Sequence, residues 1–112
     1  MTDTQTKEKK AGPELNSKQK KFLKGLGHIL SPVVAVGKDG LSEKIITATA
    51  LELSRHELIK IKVGKSSPAS RQETADVLST GSESSLVQII GKTILLYKKN
   101  PKLDKEKQIR LP

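Results

Sequence analysis

Pro32-Val33-Val34-Ala35-Val36-Gly37-Lys38-Asp39-Gly40-Leu41-Ser42 decides the fold. Residues 32–36 form an apolar run that reads as a buried strand. Gly37 and Gly40 bracket a turn with Lys38 and Asp39 at its tip. Ser42 is a good N-cap, Glu43 falls in the first turn, and Leu41 and Ile46 are spaced as a hydrophobic staple. Strand, turn and helix start therefore follow one another directly. A glycine-bracketed turn lets a ligand backbone approach closely. The first N–H groups of the next helix lack intrahelical partners and lie at the positive end of its dipole. Such a corner suits a phosphate, and Lys38 adds a mobile cation. Asp39 opposes that role, because its carboxylate repels phosphate; it can instead bond to nearby backbone N–H groups in the turn.

Working outward, Asn16 or Ser17 caps a first helix expected to run to about Leu30, where Pro32 follows. At about 100° per residue, Phe22, Leu23, Leu26, Ile29 and Leu30 form a core stripe. Lys20, Lys21, Lys24 and His28 fall opposite, with Lys18 near the border. No acid lies between Asn16 and Lys38, so no i,i+4 partner neutralises these charges. That separates the stripe from the usual solvated face of an amphipathic helix. Gly25 and Gly27 weaken the helix by roughly 1 kcal/mol each relative to Ala, which points to close packing or a frayed end.

Ser42 opens a second helix to about Arg55, with Ile45, Ile46, Ala50 and Leu53 facing the core. Glu57 to Val63 then alternates: Ile59, Ile61 and Val63 face one way, Leu58, Lys60 and Lys62 the other. This is a half-buried strand. Ser67, with Pro68 at the first helical position, caps a third helix in which Ala75 and Leu78 face inward and Gly81 is a C′ residue. Leu86–Ile90 and Thr93–Tyr97 form a hairpin turning at Gly91-Lys92. The closing Ile109-Arg110-Leu111-Pro112 is placed along a sheet edge. The order is α-β-α-β-α-β-β, which predicts an α/β two-layer sandwich with a four-stranded mixed sheet and helices as cover.

The chain has 112 residues, Lys+Arg 21 against Asp+Glu 12, and a net charge of +9. That excess favours a polyanionic partner, nucleic acid before an anionic membrane. Length fits a single domain over residues 15–112. Residues 1–14 are polar, with Gly12-Pro13 near their end, and are expected to be a disordered tail. There is no cysteine, no apolar run near the roughly 20 residues of a membrane span, and no signal-peptide pattern; a cytoplasmic location is expected.

Catalytic readings fare badly. Gly91-Lys92-Thr93 imitates the end of a P-loop, but Leu86 stands where the pattern needs glycine, and the context is a hairpin. His28 and His56, the two histidines, lack metal-ligand spacing. No serine sits in a nucleophile setting and no carboxylates pair. No enzyme, no metal and no cofactor are expected, and no small-molecule substrate. Aromatics are Phe22 and Tyr97 alone, so stacking platforms for single strands are missing. Recognition is expected to rest on phosphate, sugar and shape, with strong salt dependence.

The segments Leu15–Glu43 (LNSKQKKFLKGLGHILSPVVAVGKDGLSE), Arg55–Val63 (RHELIKIKV), Val87–Lys99 (VQIIGKTILLYKK) and the final IRLP together resemble the YhbY proteins, stand-alone CRM domains (chloroplast RNA splicing and ribosome maturation). The resemblance spans about residues 15–112; residues 65–83 contribute least to it. It implies a fold similar to the C-terminal domain of translation initiation factor 3, RNA binding, and association with ribosomal RNA in precursors of the large ribosomal subunit. It also implies an RNA contact through a GxxG loop like that of KH domains, which carries to Gly37, Lys38, Asp39 and Gly40, and through a basic first helix, which carries to Lys18, Lys20, Lys21 and Lys24. Family loops vary at the two middle positions, and Gly27 stands where an alanine is commoner. His28, Lys44 and Lys92 are further candidate phosphate contacts. The expected state is a monomer. A protein-interaction module riding on a ribosomal or translation factor is the alternative. Attachment to an anionic membrane ranks lower, because the basic face shows few apolar anchors.

Overall fold

Period-2 alternation in the strands and capped amphipathic stretches between them give one mixed sheet with helices on both faces. The computed structural model describes residues 14–112. The elements are α1 (Ser17–Gly27), β1 (Pro32–Val36), α2 (Glu43–His56), β2 (Leu58–Val63), α3 (Arg71–Gly81), β3 (Ser85–Ile90), β4 (Thr93–Tyr97) and a 3₁₀ turn at Lys105–Lys107. Strand order is β1-β2-β4-β3. β1 runs parallel to β2, as a crossover through α2 requires. β2 and β3 both run antiparallel to β4. The mixed four-stranded α/β order expected from the sequence is present.

Two apolar clusters divide along the pleat. On one face Val34, Val36, Ile59, Ile61, Val63, Ile94 and Leu96 pack under Leu53 of α2 and Ala75 and Leu78 of α3. The expected sandwich is this layer. On the other face Leu58, Val87, Leu95 and Tyr97 pack under Leu23 of α1. Each fully buried Leu or Ile contributes about 1.5–3 kcal/mol relative to exposure. The buried hydroxyls are satisfied locally: Thr49 Oγ1 donates to the Ile45 carbonyl at 2.8 Å and Thr74 Oγ1 to that of Ser70 at 2.7 Å.

Several local expectations are corrected. α1 ends at Gly27 rather than near Leu30; Leu30 N–H turns back to the Gly27 carbonyl at 3.1 Å. Only Leu23 of its expected core stripe is fully buried. Leu30 packs at the cluster margin, whereas Phe22, Leu26 and Ile29 are exposed, Ile29 to 85%. The helix is rolled so that Leu23 and Gly27 meet the sheet, an approach that leaves room only for glycine at 27, where a Cβ would stand 2.7 Å from Leu95 Cδ2. β1 is an edge strand buried on one face only, at Val34 and Val36. α3 is capped by Ser70, whose Oγ accepts from Glu73 N–H at 3.0 Å. Ser67 instead closes a local turn onto Ala69 N–H, and Pro68 packs on Gly40, where a Cβ would lie 2.9 Å from Pro68 Cγ. The C-terminal residues do not follow a sheet edge. Ile109 and Leu111 lie on the Leu23 cluster beside Leu15 and Leu30. The disordered tail expected for residues 1–14 falls, except for Glu14, outside the described residues.

Candidate nucleic-acid interface

Gly37–Gly40 closes as a tight turn, with Gly40 N–H donating to the Gly37 carbonyl at 3.0 Å. Gly40 has φ +70°, which glycine adopts without strain. Gly40 is buried against Pro68, while Gly37, Lys38 and Asp39 are exposed. A Cβ on Gly37 would meet nothing within 4 Å, so the outer side of the turn is open. The Asp39 side chain makes no hydrogen bond among the described residues; backbone alone closes the turn, and the option of Asp39 bonding to the turn's N–H groups is not taken up. Ser42 Oγ accepts from Ile45 N–H at 3.3 Å and caps α2 as expected.

Three loops meet at this end of the sheet. Gly64 N–H donates to the Val36 carbonyl and Val63 N–H to the Lys92 carbonyl, both at 2.8 Å. Arg71 Nη1 donates to the Gly91 carbonyl. The glycine turn, the segment after β2 and the hairpin tip are thereby held together. The tip carries Lys92 exposed.

α1 covers only part of its face of the sheet. Beyond it, the register places Ala35, Lys62, Thr93 and Ile90 in one row across all four strands. Ala35, Lys62 and Ile90 of that row are exposed. The row behind it aligns Lys60, Leu95 and Gln88. Lys60 Nζ reaches the His28 carbonyl at 3.5 Å. Lys24, His28 and Lys60 thus ring a groove between the end of α1 and the open half of the sheet. This groove ends at the strand row that neighbours the glycine turn.

The structure therefore brings Lys24 and His28 to the groove, with Lys20 and Lys21 exposed on the same helix, and sets Lys38 and Lys92 at the adjoining sheet end. Lys18 and Lys44 stand exposed in the first turns of α1 and α2 and make no hydrogen bond or ion pair among the described residues. Lys60 and Lys62 were not singled out from the sequence. Their only signal was the alternation that sent them away from Ile59 and Ile61. Placing them at the middle of an uncovered sheet face needed the strand order, in which β2 is internal. None of Lys20, Lys21, Lys24, Lys38, Lys60, Lys62 or Lys92 pairs with an acid among the described residues; the ion pairs seen use Glu52 and Glu83. Seven cations without an acidic partner, spread over α1, its face of the sheet and the adjoining sheet end, create a positive field suited to a polyanion. Among the described residues no group of His, Asp and Glu side chains could hold a metal ion, and no helix is long and apolar enough to cross a membrane.

Fold and surface together define a small basic α/β domain with a GxxG turn joining its first strand to the helix that follows. The chain belongs to the CRS1 / YhbY (CRM) domain family, whose model matches residues 15–98. It is 42% identical to "Probable RNA-binding protein YqeI" of Bacillus subtilis (strain 168), over 88% of this chain and 99% of that protein. It is 38% identical to "RNA-binding protein" of Haemophilus influenzae, over 88% of this chain and 95% of that protein. The solution structure of the hypothetical protein SAV1595 from Staphylococcus aureus superposes with a TM-score of 0.73 at 37% identity, covering 88% of this chain and all of that one.

Proposed function

We propose that this chain is a non-catalytic RNA-binding protein that associates with ribosomal RNA in precursors of the large ribosomal subunit. The carrying observation is the set of cations without an acidic partner among the described residues: Lys20, Lys21 and Lys24 on α1, Lys60 and Lys62 on β2, Lys38 in the Gly37–Gly40 turn and Lys92 at the hairpin tip. Its relatives' names support an RNA partner. Phosphates meet Lys38 and the open Gly37 side of the turn, while Lys20, Lys21, Lys24, His28 and the two β2 lysines extend the contact. Lys18 and Lys44 add charge at the helix starts. Contacts of this kind position RNA and carry little sequence information.

The test is gradient sedimentation of the purified protein with ribosomal particles from cell extract, at low and moderate salt, beside Lys38→Ala. Enrichment on large-subunit precursors, reduced in the variant, is the expected result. Equal spread over every RNA-containing fraction would overturn the ribosomal part. A second reading, a module that docks on a ribosomal or translation protein, is favoured by one feature. Leu26, Ile29 and Val33 are exposed around a groove of about 520 Å³ that also reaches Leu58 and Ile109. That reading predicts particle binding that survives high salt and ribonuclease.

A further inference from the structure

The groove between α1 and the open half of the sheet has more than charge. Its volume is about 310 Å³, at the lower end of the roughly 300–1,000 Å³ range of small-ligand sites. Its floor is apolar: Leu95 lies beneath, and Ile90 at the rim is 60% exposed. One wall is bare helix backbone at Gly25, where an added Cβ would meet nothing within 4 Å. Within it stands the half-buried Gln88. Its side-chain amide, two donors and a two-lone-pair acceptor, bonds to nothing among the described residues. Thr93 adds a hydroxyl from the facing strand, and Lys24 and Lys60 set cations at the mouth.

We infer that this groove takes one unpaired nucleotide of RNA, with its base over Ile90 and Leu95, its edge on Gln88 and Thr93, and its phosphate on Lys24 and Lys60. This rests on the RNA-binding reading above and narrows the ligand. A flat heterocycle with a donor and acceptor edge satisfies both the apolar floor and the unpartnered amide. Its own phosphate matches the cations, and continuity with the basic surface brings it there. A paired base cannot enter, because its edge is occupied and its faces are stacked. The domain therefore has a way to prefer bulged or single-stranded RNA that does not depend on aromatic side chains.

The experiment compares a fully paired RNA hairpin with the same hairpin carrying a one-nucleotide bulge, and a third in which the bulge is 2-aminopurine. Affinities are read by anisotropy for wild type, Gln88→Ala and Ile90→Ala; circular dichroism melts check that both variants fold. Wild type is expected to bind the bulged RNA about three- to tenfold tighter, the worth of one or two net hydrogen bonds, and to change 2-aminopurine emission. Both variants should lose the preference and the emission change, with the loss confined to bulged RNA. Equal affinity for paired and bulged RNA, or a preference that survives in both variants, would overturn the groove assignment and leave RNA binding standing. Failure of wild type to bind any of the three at low salt would overturn both.

Discussion

The Glu57 carboxylate accepts the Ile109 backbone N–H on Oε1 at 2.6 Å. Its other oxygen accepts Asn100 N–H at 2.5 Å. Glu57 is fully buried and holds φ +65° at the C-cap of α2. One acidic side chain thus fastens the whole C-terminal segment to the junction between α2 and β2. Asn100 Nδ2 adds a bond to the Ser54 carbonyl at 2.7 Å. Bonds to a charged acceptor are worth about 1.5–3 kcal/mol each, and an orphaned buried N–H costs about 1–3 kcal/mol. Glu57→Ala should therefore destabilise the domain by about 2–4 kcal/mol, a large share of a small domain's stability. Urea melts measure this. Hydrogen exchange should show the Ile109 amide losing protection; full protection there would refute the fastening role.

The same carboxylate acts on Tyr97. Burial, and then the negative charge of Glu57, raise the Tyr97 phenol above its usual value of 10.0. Because the folded pKa is raised, its stabilising contribution is complete below about pH 10 and is lost as pH climbs from there through the folded pKa. Tyr97 is the single tyrosine, so phenolate absorbance reports it alone. It should titrate above 10 in the folded protein and near 10 in concentrated urea. Tyr97→Phe should flatten the alkaline fall in stability; an identical fall would assign it to other groups.

How far the sequence carries is visible in particular residues. The β-strands were legible because Ile59, Ile61, Val63 and the 93–97 run leave no helical reading, and Ser42 announced α2. The roll of α1 was not. Phe22, Leu26 and Ile29 have the same chemistry and spacing as core residues. They face outward where Gly27 is seated on Leu95, a long-range contact without a local signature. Glu57 reads as an ordinary acid before a strand; its burial depends on backbone N–H groups some fifty residues downstream. The glycine turn and the helix lysines were legible as a candidate site because local order places them. Lys60 and Lys62 became part of it only through the sheet topology.

Gly25 and Gly27 separate propensity from packing within one turn of α1. Nothing opposes a Cβ on Gly25, so Gly25→Ala should stabilise by about 0.5–1 kcal/mol. A Cβ on Gly27 would press to 2.7 Å from Leu95 Cδ2. Overpacking of that kind costs typically about 1–3 kcal/mol, which exceeds the propensity gain. Gly27→Ala should lower the melting temperature, and Gly27→Ala with Leu95→Val should recover part of the loss. A stabilised Gly27→Ala single variant would mean that Leu95 moves aside freely.

Lys60 and Lys62 bear on how wide the basic surface is. Each phosphate contact removed lowers the slope of log affinity against log salt by about 0.7 for single strands and about 0.9 for duplex. Lys60→Ala with Lys62→Ala should flatten the slope by about 1.4–1.8 and weaken binding alike across RNA sequences. An unchanged slope would confine the contact to α1 and the glycine turn.

The two ends of that turn carry glycine for different reasons, and substitution distinguishes them. Gly40 needs it for the protein: φ is +70° and Pro68 stands 2.9 Å from any Cβ. Gly40→Ala should cost about 1–2 kcal/mol for the left-handed backbone alone, and its effect on RNA will mix with that damage. Gly37 has neither constraint, since its φ is not positive and no atom lies within 4 Å of a Cβ. The fold would therefore accept Gly37→Ala with stability within about 0.5 kcal/mol of wild type. If a phosphate backbone sits against the outer side of the turn, the added methyl group intrudes on the ligand instead. Gly37→Ala should then bind RNA more weakly at unchanged melting temperature, and Gly37→Val more weakly still. Wild-type affinity in both would show that RNA does not approach the turn at Gly37, leaving Lys38 to act at longer range through its side chain.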